Sequence, residues 1–335
     1  MPNAELDHAF RRYPLTALLL SASDVRELLD HRALLEQLRH AMCAYASDAI
    51  VRARRTHSPI PSSDAQSVMI VFPGLVPGIP AYTVKINAKR PNATPSVQGL
   101  ISLHDLESGR LLAVMDSIAI TAIRTGLVGG LAAQALARPA IEVVAVIGAG
   151  VQGREQLRAL RLVRSFGTVR VYDSAPERAK TLVAEMGDGL GARLTVAASV
   201  ADAVRAADVI IAATWARTPF LTRAMIAPGA HITTVGADEP GKAELDRDLI
   251  EHATFVCDDA DLAAEMGALA GVGLGRDAIH ASLGEVLSGS RPGRTRDDEI
   301  TVFGSVGLPC QDLPAAWMAY QKAKALDKPR FDFHG

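Results

Sequence analysis

The chain has 335 residues, 35 basic against 37 acidic side chains, and a hydrophobic share of 49%. Nearly balanced charge argues against a nucleic-acid or anionic-membrane partner, and the length suits two domains, each able to bury its own core. Cys43, Cys257 and Cys310 lie far apart with no CxxC pair, which points to a reducing compartment and away from a disulfide framework or a zinc site.

Glu5, Asp7, Arg11 and Arg12 surround only short apolar groups, so no secretory signal is visible. No uninterrupted apolar run approaches the ~20 residues that span a bilayer. A soluble, cytoplasmic chain is expected, without metal, nucleic acid or membrane.

Ser23, ahead of Asp24, Val25, Arg26 and Glu27, reads as a helix entry, and Leu28, Leu29, Leu34, Leu35 and Leu38 recur at helical intervals. One helix with a break is therefore expected as far as Ala44 or Tyr45. Basic residues 52–57, bordered by Pro59 and Pro61, read as strand or loop. Residues 68–72, 81–86, 99–104 and 111–115 read as strands, with a turn at Ser108-Gly109, so this half should form a mostly antiparallel sheet. From Ile118 the spacing of Ile120, Ile123, Leu127, Leu131 and Leu136 predicts a helix that ends at Arg138-Pro139.

The stretch from Val143 to Asp173 carries the clearest signal. A β-branched run over 143–147 meets Gly148, Gly150 and Gly153 in the order GxGxxG; a helical segment and a second strand, 169–172, follow and end in Asp173. In that context Gly148 permits the tight turn, Gly150 lets a pyrophosphate approach the backbone, and Gly153 lets the helix pack close to its strand. The helix N-terminus offers N–H groups to the phosphates. Asp173 suits both ribose hydroxyls and repels a 2′-phosphate, favouring NAD over NADP, although Ser174 and Arg178 lie close enough to touch a phosphate. Helix and strand then alternate: helices at 176–186 and 200–206, strands at 194–197, 209–213, 231–235 and 255–257, a returning strand at 300–302 and a last helix at 313–326. The fold class expected is α/β, a Rossmann-type doubly wound parallel sheet plus an α+β domain.

Four side chains outside the glycine turn are candidates for chemistry. Arg55 lies in the basic loop, Lys85 in an otherwise apolar strand, Arg124 in an apolar helix, and Asp238 just past the strand at 231–235, at the sheet end where ligands bind. Each has a bland reading. Arg124 can pair with a buried carboxylate, Lys85 can snorkel to solvent, Asp238 can cap the helix near Leu245, and Arg52, Arg54 and Arg55 can form a solvated face. His104 and His231 read as strand residues with local partners. What raises the four is that a nicotinamide enzyme needs cations for a carboxylate and a titratable group for the proton.

The segments KINAKRPN, ITAIRTG, VIGAGVQG, VGADEPGKAELD and DDEITVFGSVGLPCQD together resemble the ornithine cyclodeaminase/μ-crystallin family, in the expected order over about residues 55–317. The resemblance implies a homodimer with a substrate-binding and dimerisation domain (1–120 and 302–335) and a Rossmann domain between (121–301). It implies that Arg55, Lys85 and Arg124 hold a substrate carboxylate and that Lys85 lies near the reacting carbon. Asp238 would be the acid/base. Thr125, Gly148, Gly150, Val151, Gln152 and Asp173 would bind NAD, with Thr214 and Val235 near its adenosine and nicotinamide ends. Cations crowding one anion would also lower the proton affinity of Lys85 and let it share in proton transfer.

One departure narrows the activity. Ornithine-using members place an acid where Ile70 stands here, and no acid lies between Gln66 and Leu75. The expected activity is therefore NAD-dependent reduction of an imine of a 2-oxo acid, or oxidation of the matching α-amino acid. The alternatives are a cyclodeaminase acting on a diamino acid and a non-catalytic, crystallin-like binder of small ligands.

Overall fold

The structure, a computed structural model, describes residues 16–47, 50, 55–61, 67–90, 93, 95–187 and 189–333. Contacts divide the chain into two compact units. The first comprises the described residues of Met1–Asp30, Asp48–Thr121 and Pro309–Gly335; the second comprises His31–Ser47 and Ala122–Leu308. In chain order the strands are β1 (Thr16–Leu20), β2 (Thr56–Pro59), β3 (Val68–Gly74), β4 (Ala81–Lys89), β5 (Val97–Asp105) and β6 (Leu111–Asp116) in the first unit. The second unit holds β7 (Val143–Ile147), β8 (Thr168–Tyr172), β9 (Arg193–Val196), β10 (Val209–Ala212), β11 (His231–Thr234), β12 (Thr254–Cys257), β13 (Ala281–Ser282) and β14 (Thr301–Gly304). The chain's end supplies β15 (Arg330–Asp332).

The first unit is a sheet in the order β15-β1-β6-β5-β4-β3-β2. It is antiparallel except where β1 runs parallel to β6. Alternation decides what each face carries. Along β4, Ala81, Thr83, Lys85 and Asn87 are buried while Ile86 is exposed. The covered face packs under the helices Ala22–Leu28 and Asp312–Ala323. The other face shows Met69, Ile86 and Leu100, 41%, 50% and 55% exposed, on three neighbouring strands. Gly74 is needed where β3 meets the turn at Pro309–Gln311, because a Cβ there would stand 2.5 Å from the Pro309 carbonyl oxygen.

Two local expectations change. The helix entry is capped by Ser21, not Ser23: the Ser21 hydroxyl accepts from the Asp24 N–H and the Asp24 carboxylate from the Ser21 N–H. The helix then ends at Leu28, and a separate helix, His31–Ala46, belongs to the second unit, where Gly284 lets the helix Leu283–Ser288 approach the Met42 carbonyl. Residues 1–120 are therefore not one continuous block. The returning strand β14 pairs with β11 and β12 inside the parallel sheet, and the second unit runs on to Leu308.

The second unit's sheet is parallel throughout, in the order β13-β12-β14-β11-β10-β7-β8-β9. Strands covered on both faces read as continuous apolar runs, as VVAVI in β7 and VIIA in β10 do. Ala145, Ile147, Ile210 and Val302 fill one layer, and Val144, Val146, Val171 and Ile211 the other. The chain leaves β7 in both directions along the sheet, which makes the carboxyl ends of β7 and β10 its topological switch point, the place where such sheets bind ligands.

The helix Ser117–Leu136 is long and apolar enough to cross a membrane, although Arg124 interrupts its apolar run. It is a core helix here: 72% of that window is buried inside the protein.

Candidate active site

The glycine turn has the geometry its spacing predicts. Gly148 sits at φ +100°, and a Cβ there would stand 2.4 Å from the Ala213 carbonyl oxygen at the end of β10. A Cβ on Gly153 would stand 2.1 Å from the Gly148 carbonyl oxygen. Gly150 differs, since a Cβ there would meet nothing within 4 Å. Folding does not demand glycine at that position, whereas close approach of a phosphate does.

Gly150 is also the N-cap of the helix Val151–Val163 and gives it no side-chain cap, which leaves its first N–H groups to an incoming acceptor. Val151 is exposed, and the buried Gln152 Oε1 has no hydrogen-bond partner. Arg154 braces the turn by donating to the carbonyls of Ala149 and Gly150. Asp173, one residue past β8, accepts from the Ala149 N–H at 2.8 Å and the Ala175 N–H at 2.9 Å. Thr125 gives its carbonyl to the Gln156 amide at 3.0 Å, tying its helix to the one after the turn. The residues present fit a dinucleotide.

At the ends of β10 and β11 the structure reveals a residue to which no role had been given. Glu244 is fully buried. Its carboxylate accepts from the Thr214 N–H and hydroxyl, both at 2.7 Å, from the Thr234 hydroxyl at 2.6 Å and from the Gly236 N–H at 3.1 Å. Burial pushes its proton affinity up, and the four donors pull against that. Glu244 thus fixes Thr214 and the Val235–Gly236 step relative to each other. Only its place inside VGADEPGKAELD marked it in the sequence.

Asp238 lies just beyond, its side chain 27% exposed, accepting from the Lys242 ammonium at 2.8 Å. Lys242 is 4% exposed, stands 3.6 Å from Glu239 and lies 4.0 Å over the Trp215 ring. Asp238 does not cap the following helix: Asp246 does, accepting from the Leu249 N–H.

Arg124 is buried, its guanidinium against Gly307. That loop is held by Asp258, which accepts from the Gly307 N–H at 2.7 Å and the Ser305 hydroxyl at 3.0 Å while burial raises its own proton affinity.

The first unit brings Arg55 and Lys85 to one ring. The Arg55 guanidinium lies 4.8 Å and the Lys85 ammonium 4.7 Å from the Phe72 centroid. Lys85 does not snorkel; it is 2% exposed. It pairs at 2.7 Å with Asp312, 1% exposed, and donates to the Thr121 hydroxyl at 3.4 Å. Asp312 had only been part of a motif, without a role. An anion at that distance favours the ammonium, which works against the expected lowering of Lys85's proton affinity by neighbouring cations. Arg52 and Arg54 lie outside the described residues.

His231 hydrogen-bonds Thr301 and Thr233, and burial pushes it down to about 3, so it is neutral and structural. His104 bonds Ser102 and stacks on Tyr82. Among the described residues no cluster of His, Cys, Asp and Glu is arranged to hold a metal.

Comparison with known proteins agrees with this architecture. The chain matches the ornithine cyclodeaminase/mu-crystallin family over residues 16–327. An alanine dehydrogenase of Archaeoglobus fulgidus is 39% identical over 236 residues, which cover 68% of this chain and 71% of the relative. An archaeal alanine dehydrogenase dimer with bound NAD superposes with a TM-score of 0.86 at 31% identity, over 95% of this chain and 99% of the other. The Δ1-pyrroline-2-carboxylate reductase of Thermococcus litoralis, in complex with NADH and L-proline, gives 0.85 at 32% identity, over 92% and 97%. With a match that runs from the first described strand almost to the last, the chain belongs to the ornithine cyclodeaminase/mu-crystallin family.

Proposed function

We propose that the protein is an NAD-dependent oxidoreductase that reduces an imine of a 2-oxo acid, or oxidises the matching α-amino acid, at Cα. The relatives with alanine dehydrogenase and pyrroline-2-carboxylate reductase activity catalyse this kind of reaction. The observation that carries the substrate class is the covered face of β3 and β4. Ile70 and Phe72 are buried there, Phe72 is the cross-strand partner of Lys85, and β3 has no acid to hold a distal ammonium. That favours a substrate with one carboxylate and an apolar or small side chain over a diamino acid.

The first unit serves substrate binding and dimerisation, and the second binds the dinucleotide. Gly148, Gly150, Val151 and Gln152 receive the pyrophosphate with Thr125 beside it, Asp173 takes the ribose hydroxyls, and Thr214 and Val235 border the rest of the cofactor. When bound, the nicotinamide supplies hydride to Cα or takes it away. Arg55, Lys85 and Arg124 hold the carboxylate. Asp238 moves the proton at the substrate nitrogen: an imine must be protonated to accept hydride, and an ammonium must lose a proton to release it. Its partial exposure lets a proton come and go, with the Lys242 ammonium 2.8 Å away.

The uncovered apolar face around Met69, Ile86 and Leu100 supports a homodimer, the state of the archaeal relative. Light scattering after gel filtration tests it, and a monomer in solution would refute it.

A panel of cyclic imines and of 2-oxo acids with ammonia or methylamine, followed at the NADH absorbance band, tests the activity. Stoichiometric loss of NADH is the expected result. Ammonia release from ornithine without net change in NADH would replace the reading with a cyclodeaminase. Ligand binding without turnover of any of these would replace it with a carrier.

A further inference from the structure

We propose that Asp312 is a positioning residue that acts through Lys85: it holds Lys85 as a fixed ammonium, so that Lys85 serves as an electrostatic contact for the substrate carboxylate and not as a proton-transfer base. The inference rests on the imine-reductase reading and adds to it a residue and a division of labour.

The geometry carries it. Lys85 is buried among several elements of the first unit. Asp312 stands 2.7 Å away from the helix Asp312–Ala323, the Thr121 hydroxyl 3.4 Å away from the helix Ser117–Leu136, and the Phe72 ring 4.7 Å away from β3. Its cross-strand neighbour on β5 is Ile101, and the Arg55 cation lies over the same Phe72 ring. Lys85 and Asp312 are 2% and 1% exposed. A lone ammonium so enclosed is driven toward its neutral form by desolvation, and Arg55 pushes the same way. Asp312 opposes both. It sits in the first turn of its helix, at the end where the backbone N–H dipoles gather. Gly74 lets the preceding turn seat against the sheet and so bring Asp312 to this position.

The two side chains meet at 2.7 Å. A carboxylate entering beside Lys85 therefore meets a charge already desolvated and fixed in place, with Arg55 as a second cation. Asp312 is 1% exposed, which restricts its exchange of protons with solvent, and the effect proposed for it is on Lys85.

The test is the pH profile of kcat/KM for cyclic-imine reduction in wild type, Asp312→Asn, Asp312→Glu, Lys85→Met and the double variant Lys85→Met/Asp312→Asn. NADH affinity by fluorescence serves as the folding control. Without the carboxylate, Lys85 loses its proton at lower pH and with it the substrate contact. Asp312→Asn is therefore expected to gain an alkaline limb, its kcat/KM falling at least about tenfold over a range where wild type is flat, mostly through KM. Asp312→Glu should move the limb back toward wild type. The double variant should be no worse than Lys85→Met alone, because a residue acting through Lys85 has nothing to act on once Lys85 is gone.

A folded Asp312→Asn with the wild-type profile overturns the proposal, and so does additive loss in the double variant. If Asp312→Asn does not fold, the double variant decides: a kcat/KM well below that of Lys85→Met alone overturns the proposal. If wild type reduces no imine, the functional reading fails by itself. The pH dependence of L-proline binding in the presence of NAD, by calorimetry, then decides, and no difference between wild type and the Asp312 variants overturns the inference.

Discussion

Each unit contains a lysine, a carboxylate and an aromatic ring in the same arrangement. In the first, Lys85 meets Asp312 at 2.7 Å and lies over Phe72; in the second, Lys242 meets Asp238 at 2.8 Å and lies over Trp215. Both lysines are buried, at 2% and 4% exposure, and the carboxylates differ: Asp312 is 1% exposed, Asp238 27%. A sealed carboxylate can only fix its partner, whereas an accessible one can trade protons. On the reading proposed here the same pair of charges serves two kinds of work, and access to solvent separates them.

Separating stability from turnover breaks or sharpens that comparison. The largest effect is expected at the sealed pair. Asp312→Ala strands a buried ammonium and should cost about 3–5 kcal/mol in urea unfolding, while Lys85→Met/Asp312→Leu, which removes both charges, should recover most of it. Equal losses in the two variants would mean that packing, not charge, is what Asp312 contributes.

Asp238→Asn should do the opposite. Stability is expected within about 1 kcal/mol of wild type, because Asp238 is partly solvated and Glu239, 3.6 Å from Lys242, remains to pair with the buried ammonium. In stopped-flow or steady-state assays kcat should fall at least about a hundredfold in either direction. A normal kcat would hand the proton to a bound water or another group.

Asp173 comes next. NADH should be preferred over NADPH by at least about tenfold in kcat/KM, roughly 1.4 kcal/mol, and Asp173→Ser with an arginine introduced nearby should shift the preference. Equal use of both cofactors by the wild type would refute the assignment.

The smallest effect belongs to a third lysine–carboxylate pair, at the surface. The Lys328 hydrogen bond, helped by Ser21, holds Asp24 down at about 2, below its ordinary 3.8. A lowered carboxylate contributes stability above its unfolded value and loses it as pH falls through the folded one. Asp24→Asn should therefore narrow the acid-side stability between about 4 and 2, by less than about 1 kcal/mol after solvent screening. Thermal melts over that range measure it.

Much of the second unit was legible because its signals are local. Gly148, Gly153 and the β7–β8 alternation lie within one stretch, and each glycine's geometric need is set by backbone a few residues or one strand away. Asp312 and Glu244 carry no such signal. An acid at a helix start reads as a capping residue, and an acid in a loop reads as solvated; only the tertiary fold seals the first beside Lys85 and aims the donors of Thr214, Thr234 and Gly236 at the second. Likewise TALLL in β1 shows no alternation, and β15 is a short edge strand whose partner lies at the other end of the chain, so neither was visible from sequence. The assignment of His31–Ala46 to the second unit turns on Gly284 beneath Met42, a contact no periodicity records.

The discontinuity of the first unit has a consequence for synthesis. Lys85 leaves the ribosome more than two hundred residues before Asp312, a lag on the order of tens of seconds at usual elongation rates. Over that interval the strand that will bury Lys85 has no Asp312 to meet it, and the second unit, which runs to Leu308, is itself completed only just before that residue is added. Closure of the first unit around Lys85 therefore waits for the last helix, and formation of the Lys85–Asp312 ion pair is its signature.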